Sequence, residues 1–178
     1  MSSEAGGQGG MPLPKGAALA LGGQDAALLR SGFLSMIAAS SGPDNIPSMA
    51  RALGCHLSPD LRRITLFFSA SDARELLDHV ALTARLAAVF SVPRTHRALQ
   101  LKAVDAKIGK PGPDDFQLVC SYRRTFVAHL GDMGYPRHLI EALVDCQPDD
   151  LASVIFTPSA AFSQTPGPRA GQAIGAIR

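Results

Sequence analysis

The stretch RTHRALQLKA, Arg94 to Ala103, crowds four polar or cationic residues directly ahead of an alternating apolar segment. Two chemistries suit that pattern: an edge strand with a solvated collar, or a strand that presents guanidinium, imidazole and amide groups to an anionic ligand. A period of two puts Thr95, Arg97, Leu99 and Leu101 on one side, and His96, Ala98, Gln100 and Lys102 on the other. Leu99 and Leu101 belong in a core, so the Ala98, Gln100 and Lys102 side faces outward. By pattern alone, an exposed strand with a solvated polar face is the better account of this segment.

The remaining reactive residue types are sparse. His96 has no other histidine and no carboxylate close to it in the sequence, so it lacks the partners that acid–base catalysis needs. Cys55, Cys120 and Cys146 are odd in number and far apart, with no CxxC pair, which speaks against a zinc site or a disulfide framework. They read as small buried residues of a reducing cytoplasm. No G-x-S-x-G nucleophile motif is present. GKPGPDD lacks the spacing of a phosphate-binding loop and reads as the turn into a helix starting at Asp114. RRTF, Arg123 to Phe126, reads as that helix's solvated face.

A net charge of +2, scattered in no run longer than a pair, does not argue for nucleic acid, and the absence of Trp removes stacking platforms. No apolar run approaches the ~20 residues that cross a bilayer. GAALALGG after Lys15 is too short and too broken by Gly for a signal sequence. A chain of 178 residues, 46% apolar and 18% charged, suits one domain with a real core.

The elements that must position these residues follow from pattern. Residues 1–16 form a Gly/Ser/Pro-rich lead-in, residues 17–160 the folded domain, and residues 161–178 a Pro/Gly-rich tail. A short helix over QDAALLRSG is closed by Gly32, followed by a buried strand, Phe33 to Ser40. SMARALGCH reads as one strand with Met49, Arg51, Leu53 and Cys55 on a face, and LSPDLRR as a hairpin turn into the strand Arg63 to Ser69. Asp72 and Glu75 predict a capped helix start, with Ala73, Leu76, Leu77 and Val80 as its apolar stripe. Strands follow at Arg85 to Ser91 and, as one long strand, Thr95 to Gly109. A helical pair fills residues 114–146, the first helix with Phe116, Val119, Cys120, Phe126, Val127 and Leu130 on one face. The second begins near Pro136 with Ile140, Leu143 and Val144 inward. Leu151 to Thr157 is a last strand. Hairpin links and no repeating βαβ rhythm give an α+β class that is mainly β: a six-stranded antiparallel split β-barrel with flanking helices.

In this order of elements the chain resembles the FMN-binding split-barrel superfamily, the pyridoxamine 5′-phosphate oxidase-like proteins, over roughly residues 29–169. FLSMIAAS is similar to the family's first strand and IPSMARALG to its second, where an Arg and following apolar residues line the flavin. RITLFFSASDAREL is similar to the third strand and the helix entrance that binds phosphate, and RLAAVFSVPRTHRALQLKA to the adjacent strand pair. The resemblance implies FMN as cofactor, held by residues drawn from Arg51, Ala52, Leu53, Arg74, Thr95, His96, Arg97 and Gln100. Arg51, Arg74, Thr95 and Arg97 are its phosphate candidates, since Arg binds phosphate bidentately. It also implies a cytoplasmic homodimer with the flavin between subunits and an unassigned small-molecule substrate, with no nucleic acid and no membrane. Two departures stand out. Ser71-Asp72-Ala73-Arg74 replaces the Ser-Arg-Lys group of the oxidases proper, so pyridoxamine oxidation itself is not expected. Ala98 stands where those enzymes carry a flavin-contacting Gln, with Gln100 as the nearest substitute on the same face. These departures also fit a split-barrel dimer that has lost flavin and serves as a binding module. A haem-handling relative, with His96 as axial ligand, is a further competitor. The tail FSQTPGPRAG, with Gln164, Thr165 and Arg169 as polar handles, either lies extended over a ligand or partner or is frayed.

Overall fold

The computed structural model describes residues 21–174, so the expected lead-in over 1–16 lies outside the described residues. Helix α1 (Gly23–Leu29) ends shortly before Gly32, which stands at φ +75° and turns the chain where an L side chain is disfavoured. Nine strands then build two antiparallel sheets among the described residues. The first sheet runs β2 (Pro47–Arg51), β1 (Ser35–Ser41), β5 (Leu86–Ser91), β6 (Ala98–Ala103), β9 (Ala160–Ser163). The second runs β3 (Gly54–Leu57), β4 (Ile64–Ser69), β8 (Leu151–Phe156), β7 (Lys107–Gly109).

Nine strands stand where six were expected: bending accounts for two of the extra strands, and β9 in the tail is the third. SMARALGCH is one extended segment shared between two sheets. The Ala52 N–H donates to Met36 O of β1 at 3.0 Å, while the next residue, Leu53, donates to Phe67 O of β4 at 2.7 Å. Met49 is consequently 73% exposed while Leu53 is buried, so the expected common face of Met49, Arg51, Leu53 and Cys55 does not exist. The expected strand Thr95 to Gly109 bends in the same way and becomes β6 and β7, one in each sheet. Alternation reads a bent strand as continuous because its period survives the corner.

One core cluster fills the space between these layers. Met36, Ala38, Phe90, Leu99 and Leu101 contribute from the first sheet; Ile64, Leu66, Phe68, Val154 and Phe156 contribute from the second. Phe67, on the other face of β4, is also buried. It meets Leu118 and Val119 of α3 (Asp115–Gly131) around Gly54, where a Cβ would come within 3.0 Å of Leu118 Cδ2. Burial on both faces explains why ITLFF reads as a continuous apolar run. Tyr122 of α3 donates its buried hydroxyl to Leu34 O at 2.7 Å, tying the helix to the start of β1.

Helix α2 (Arg74–Thr83) buries Leu76 and Val80 as expected, but its capping residue is Ala73 and no side chain caps it. Asp72 does not act as the cap: its own N–H donates to Ser69 Oγ at 3.2 Å. On α3, Tyr122 is buried and Phe116, Cys120 and Leu130 are only half-buried, so its inner face is rotated from the one expected. Helix α4 (Arg137–Leu143) buries Ile140 and leaves Leu143 53% exposed. The tail is more regular than its composition suggested. β9 crosses the boundary expected at residue 160, pairs with β6, and is extended by a bridge between Phe162 and Ala173.

Candidate functional site

The outward side of the first sheet carries the expected ligand-presenting residues, and the register aligns them. Arg51 stands opposite Ile37, Ile37 opposite Val89, Val89 opposite Gln100, and Gln100 opposite Phe162. The five residues cross all five strands in one row, and each is half-exposed. A neighbouring row reads Met49, Ala39, Ala87, Lys102, Ala160, and a third holds Ser35, Ser91 and Ala98. Small side chains flank the apolar ridge of Ile37 and Val89, which leaves a flat, mostly apolar surface. With strands about 4.8 Å apart, the backbone positions of Arg51 and Gln100 lie ~14 Å from each other.

Arg51 anchors one end. Its Nη1 donates to Ser35 Oγ at 3.1 Å and its guanidinium lies 6.0 Å from the Phe126 ring centroid. No carboxylate of the described residues pairs with it. A half-buried guanidinium without a counter-ion is a standing attraction for an anion. At the other end the tail shapes the surface. Gln164 donates from Nε2 to Gln100 Oε1 at 3.1 Å and from its backbone N–H to Ala98 O at 2.8 Å. Thr165 Oγ1 accepts from the Ala98 N–H at 3.0 Å. Lys102 places its ammonium 5.0 Å from the Phe162 ring centroid. The polar handles Gln164 and Thr165 therefore grip their own sheet. Arg169 lies exposed in the loop beyond.

The other sequence candidates go elsewhere. Ala52 and Leu53 are buried in the core at the corner between the sheets, with both backbone N–H groups used there. Thr95, His96 and Arg97 precede β6 and form its tight connection to β5, so the alternation drawn through them fails before Ala98. The His96 N–H donates to Val92 O, and His96 sits at φ +57° at the exposed tip. That left-handed conformation is tolerated by His better than by most residues. Arg97 turns toward α1, with Nη2 3.6 Å from Asp25 Oδ1. Arg74 is exposed at the start of α2.

The α2 entrance holds an arrangement that sequence reasoning missed. Asp150, at the head of β8, accepts hydrogen bonds from Ser69 Oγ at 2.6 Å, Ser71 Oγ at 2.9 Å and the Ser71 N–H at 3.0 Å. These donors hold its carboxyl below the usual carboxylate range, the Ser69 hydroxyl most of all. The partners lie far apart in the chain, so no local motif signals the pairing. A flavin makes two demands, a flat slot for its ring and convergent donors for its phosphate. The outer sheet face offers the flat surface and, in Arg51, one guanidinium that no described carboxylate pairs. The α2 entrance does not fit the phosphate, because its serine donors already hold a carboxylate and Asp72 adds a second negative charge beside them.

Two of the three cysteines are held away from the thiolate form. Burial pushes the Cys55 thiol up to about 12, and burial together with the nearby Asp150 charge pushes Cys146 up to about 11. No group of three potential metal ligands occurs among the described residues, and none of their helices is long and apolar enough to cross a membrane.

No protein-family model matches the chain, and no curated protein is significantly similar to it. Solved structures do match. A tagged form of HupZ from Group A Streptococcus aligns over 85% of this chain and 100% of its own at 14% identity and a TM-score of 0.51. An F420 reductase aligns over 79% of this chain and 97% of its own at 15% identity and a TM-score of 0.50. A pyridoxamine 5′-phosphate oxidase-related, FMN-binding protein of Nostoc punctiforme aligns over 86% and 96% at 12% identity, with a TM-score of 0.47. At these identities the likeness is one of fold. The chain shares the overall fold of the HupZ and F420 reductase structures.

Proposed function

We propose that this protein is a homodimeric FMN-binding split-barrel protein that works as a flavin-dependent oxidoreductase on a small-molecule substrate. The observation that carries this reading is the row from Arg51 to Gln100. It joins a guanidinium that no described carboxylate pairs to a flat apolar surface and ends in an amide, over a span suited to a flavin mononucleotide laid across the strands. Arg51 would hold the phosphate, and Ala98, Gln100 and Lys102 would border the ring. When bound, the flavin supplies the two-electron chemistry that the described side chains do not offer. The protein's share is placement. Gln164 fixes the Gln100 amide, Thr165 fixes the start of β6, and the apolar ridge excludes water.

The same face supports the dimer. Ile37, Ala39, Val89 and Ala87 form a half-exposed apolar patch across β1 and β5, with Phe162 beyond Gln100 on β9, and monomeric proteins seldom leave a large patch of this kind uncovered. A second copy laid on it encloses the flavin and covers the ridge. The test is titration of FMN against the purified protein, read by quenching of flavin fluorescence. Unchanged fluorescence at saturating protein overturns the reading.

Asp150 favours a second reading. A carboxylate that fills the donors of the α2 entrance suits a split-barrel dimer without flavin, acting as a binding module. That reading requires the dimer to form and FMN to stay free in the same titration.

A further inference from the structure

A second cleft is lined by residues of α1, β3 and α3, and the flavin reading makes no use of it. It encloses about 400 Å³, within the range of small-molecule sites. Its floor is apolar and buried: Leu29, Leu34, Met36 and Leu57 are each no more than 7% exposed. Its rim is polar and exposed, with Arg30 from the end of α1, His56 from β3, and Ser121 and Thr125 one turn apart on α3.

Charge separates this cleft from a mere packing gap. Its lining contains one guanidinium and one imidazole and, among the described residues, no carboxylate. Neither Arg30 nor His56 forms an ion pair with any described residue. The Cys55 thiol inside stays neutral, because burial holds it far from ionisation. Tyr122 has given its hydroxyl to Leu34 O, so it makes no polar demand on the cavity. An apolar floor beneath a cationic rim is complementary to a molecule with an aliphatic body and an anionic head.

We propose that this cleft is a ligand site for a medium-chain aliphatic carboxylate, its chain on the leucine floor and its head at Arg30 and His56. Its lining shares no residue with the flavin face, so the two sites are expected to fill independently.

Calorimetric titration of the full chain with decanoate and with decanol tests this directly, because the two differ only in the head. Decanoate is expected to bind at least tenfold more tightly than decanol. The Arg30→Ala/His56→Ala variant is expected to lose that preference while keeping its weak affinity for decanol. Thr125→Trp and Ser121→Trp, at exposed rim positions that leave the core intact, are each expected to weaken decanoate at least tenfold. Saturating FMN is expected to leave the decanoate titration unchanged. Equal binding of decanoate and decanol, no uptake of decanoate, or uptake indifferent to both Trp variants overturns the proposal. Competition by FMN overturns the separateness of the site without touching the flavin reading, and failure of FMN to bind leaves the decanoate result fully interpretable.

Discussion

The carboxylate of Asp150 accepts a 2.6 Å hydrogen bond from the hydroxyl of Ser69, joining the head of β8 to the end of β4 where the chain turns into α2. The contact fixes the loop that, by resemblance, was expected to receive phosphate. It also gives the fold a pH-dependent clasp.

Because its hydrogen-bond donors depress the folded-state pKa of Asp150, the clasp stabilises the protein above the usual carboxylate range. That contribution is lost as pH falls through the depressed value. Asp150→Ala is therefore expected to melt below the wild type at pH 7, with the gap closing progressively under strongly acidic conditions. Thermal melts by circular dichroism across pH check it. A gap that widens on acidification contradicts the assignment.

Arg51 and Arg74 are both phosphate candidates by resemblance, and their surroundings separate them. Arg51→Ala is expected to weaken FMN ten- to hundredfold, which is about 1.5–3 kcal/mol for a charge-assisted hydrogen bond. Arg74→Ala, at the blocked entrance, is expected to stay within about twofold of wild type, the scale of a solvent-exposed charge contact. Fluorescence titration of both variants decides between them.

How much of this was legible beforehand depended on whether the signal was local. The faces of β6 follow the sequence pattern, since Leu99 and Leu101 are buried while Ala98, Gln100 and Lys102 are outward. Alternation is a property of neighbouring residues. The corner at Ala52 and Leu53 was not legible, because a strand that changes sheets keeps its period of two. The extent of β9 was hidden behind a composition rich in Pro and Gly, although pairing with β6 decides its structure. The Asp150 clasp and the Arg51–Gln100 row join residues far apart in the chain, and pairing of that kind emerges only with the fold.

The apolar ridge gives a direct test of assembly. Val89→Asp places a charge at the centre of the five-strand row, where a partner would cover it without a counter-ion. The variant is expected to sediment as a monomer at concentrations where the wild type is a dimer, while its far-ultraviolet spectrum stays unchanged. A wild type that is itself monomeric, or a variant that remains dimeric, removes this face as the interface.

Tyr122 is expected to matter for stability alone. Tyr122→Phe leaves Leu34 O without its 2.7 Å donor in a buried position. The expected loss is about 1–3 kcal/mol in denaturant unfolding, with FMN affinity unchanged.

The central claim is that the outer face of the first sheet holds a flavin between two copies of the chain. An absorption spectrum of the protein as purified, from the near-ultraviolet to the blue, repeated after addition of FMN and gel filtration, tests it most directly. The account predicts flavin bands that travel with a dimer and diminish in Arg51→Ala. A dimer that emerges colourless after incubation with excess FMN contradicts it.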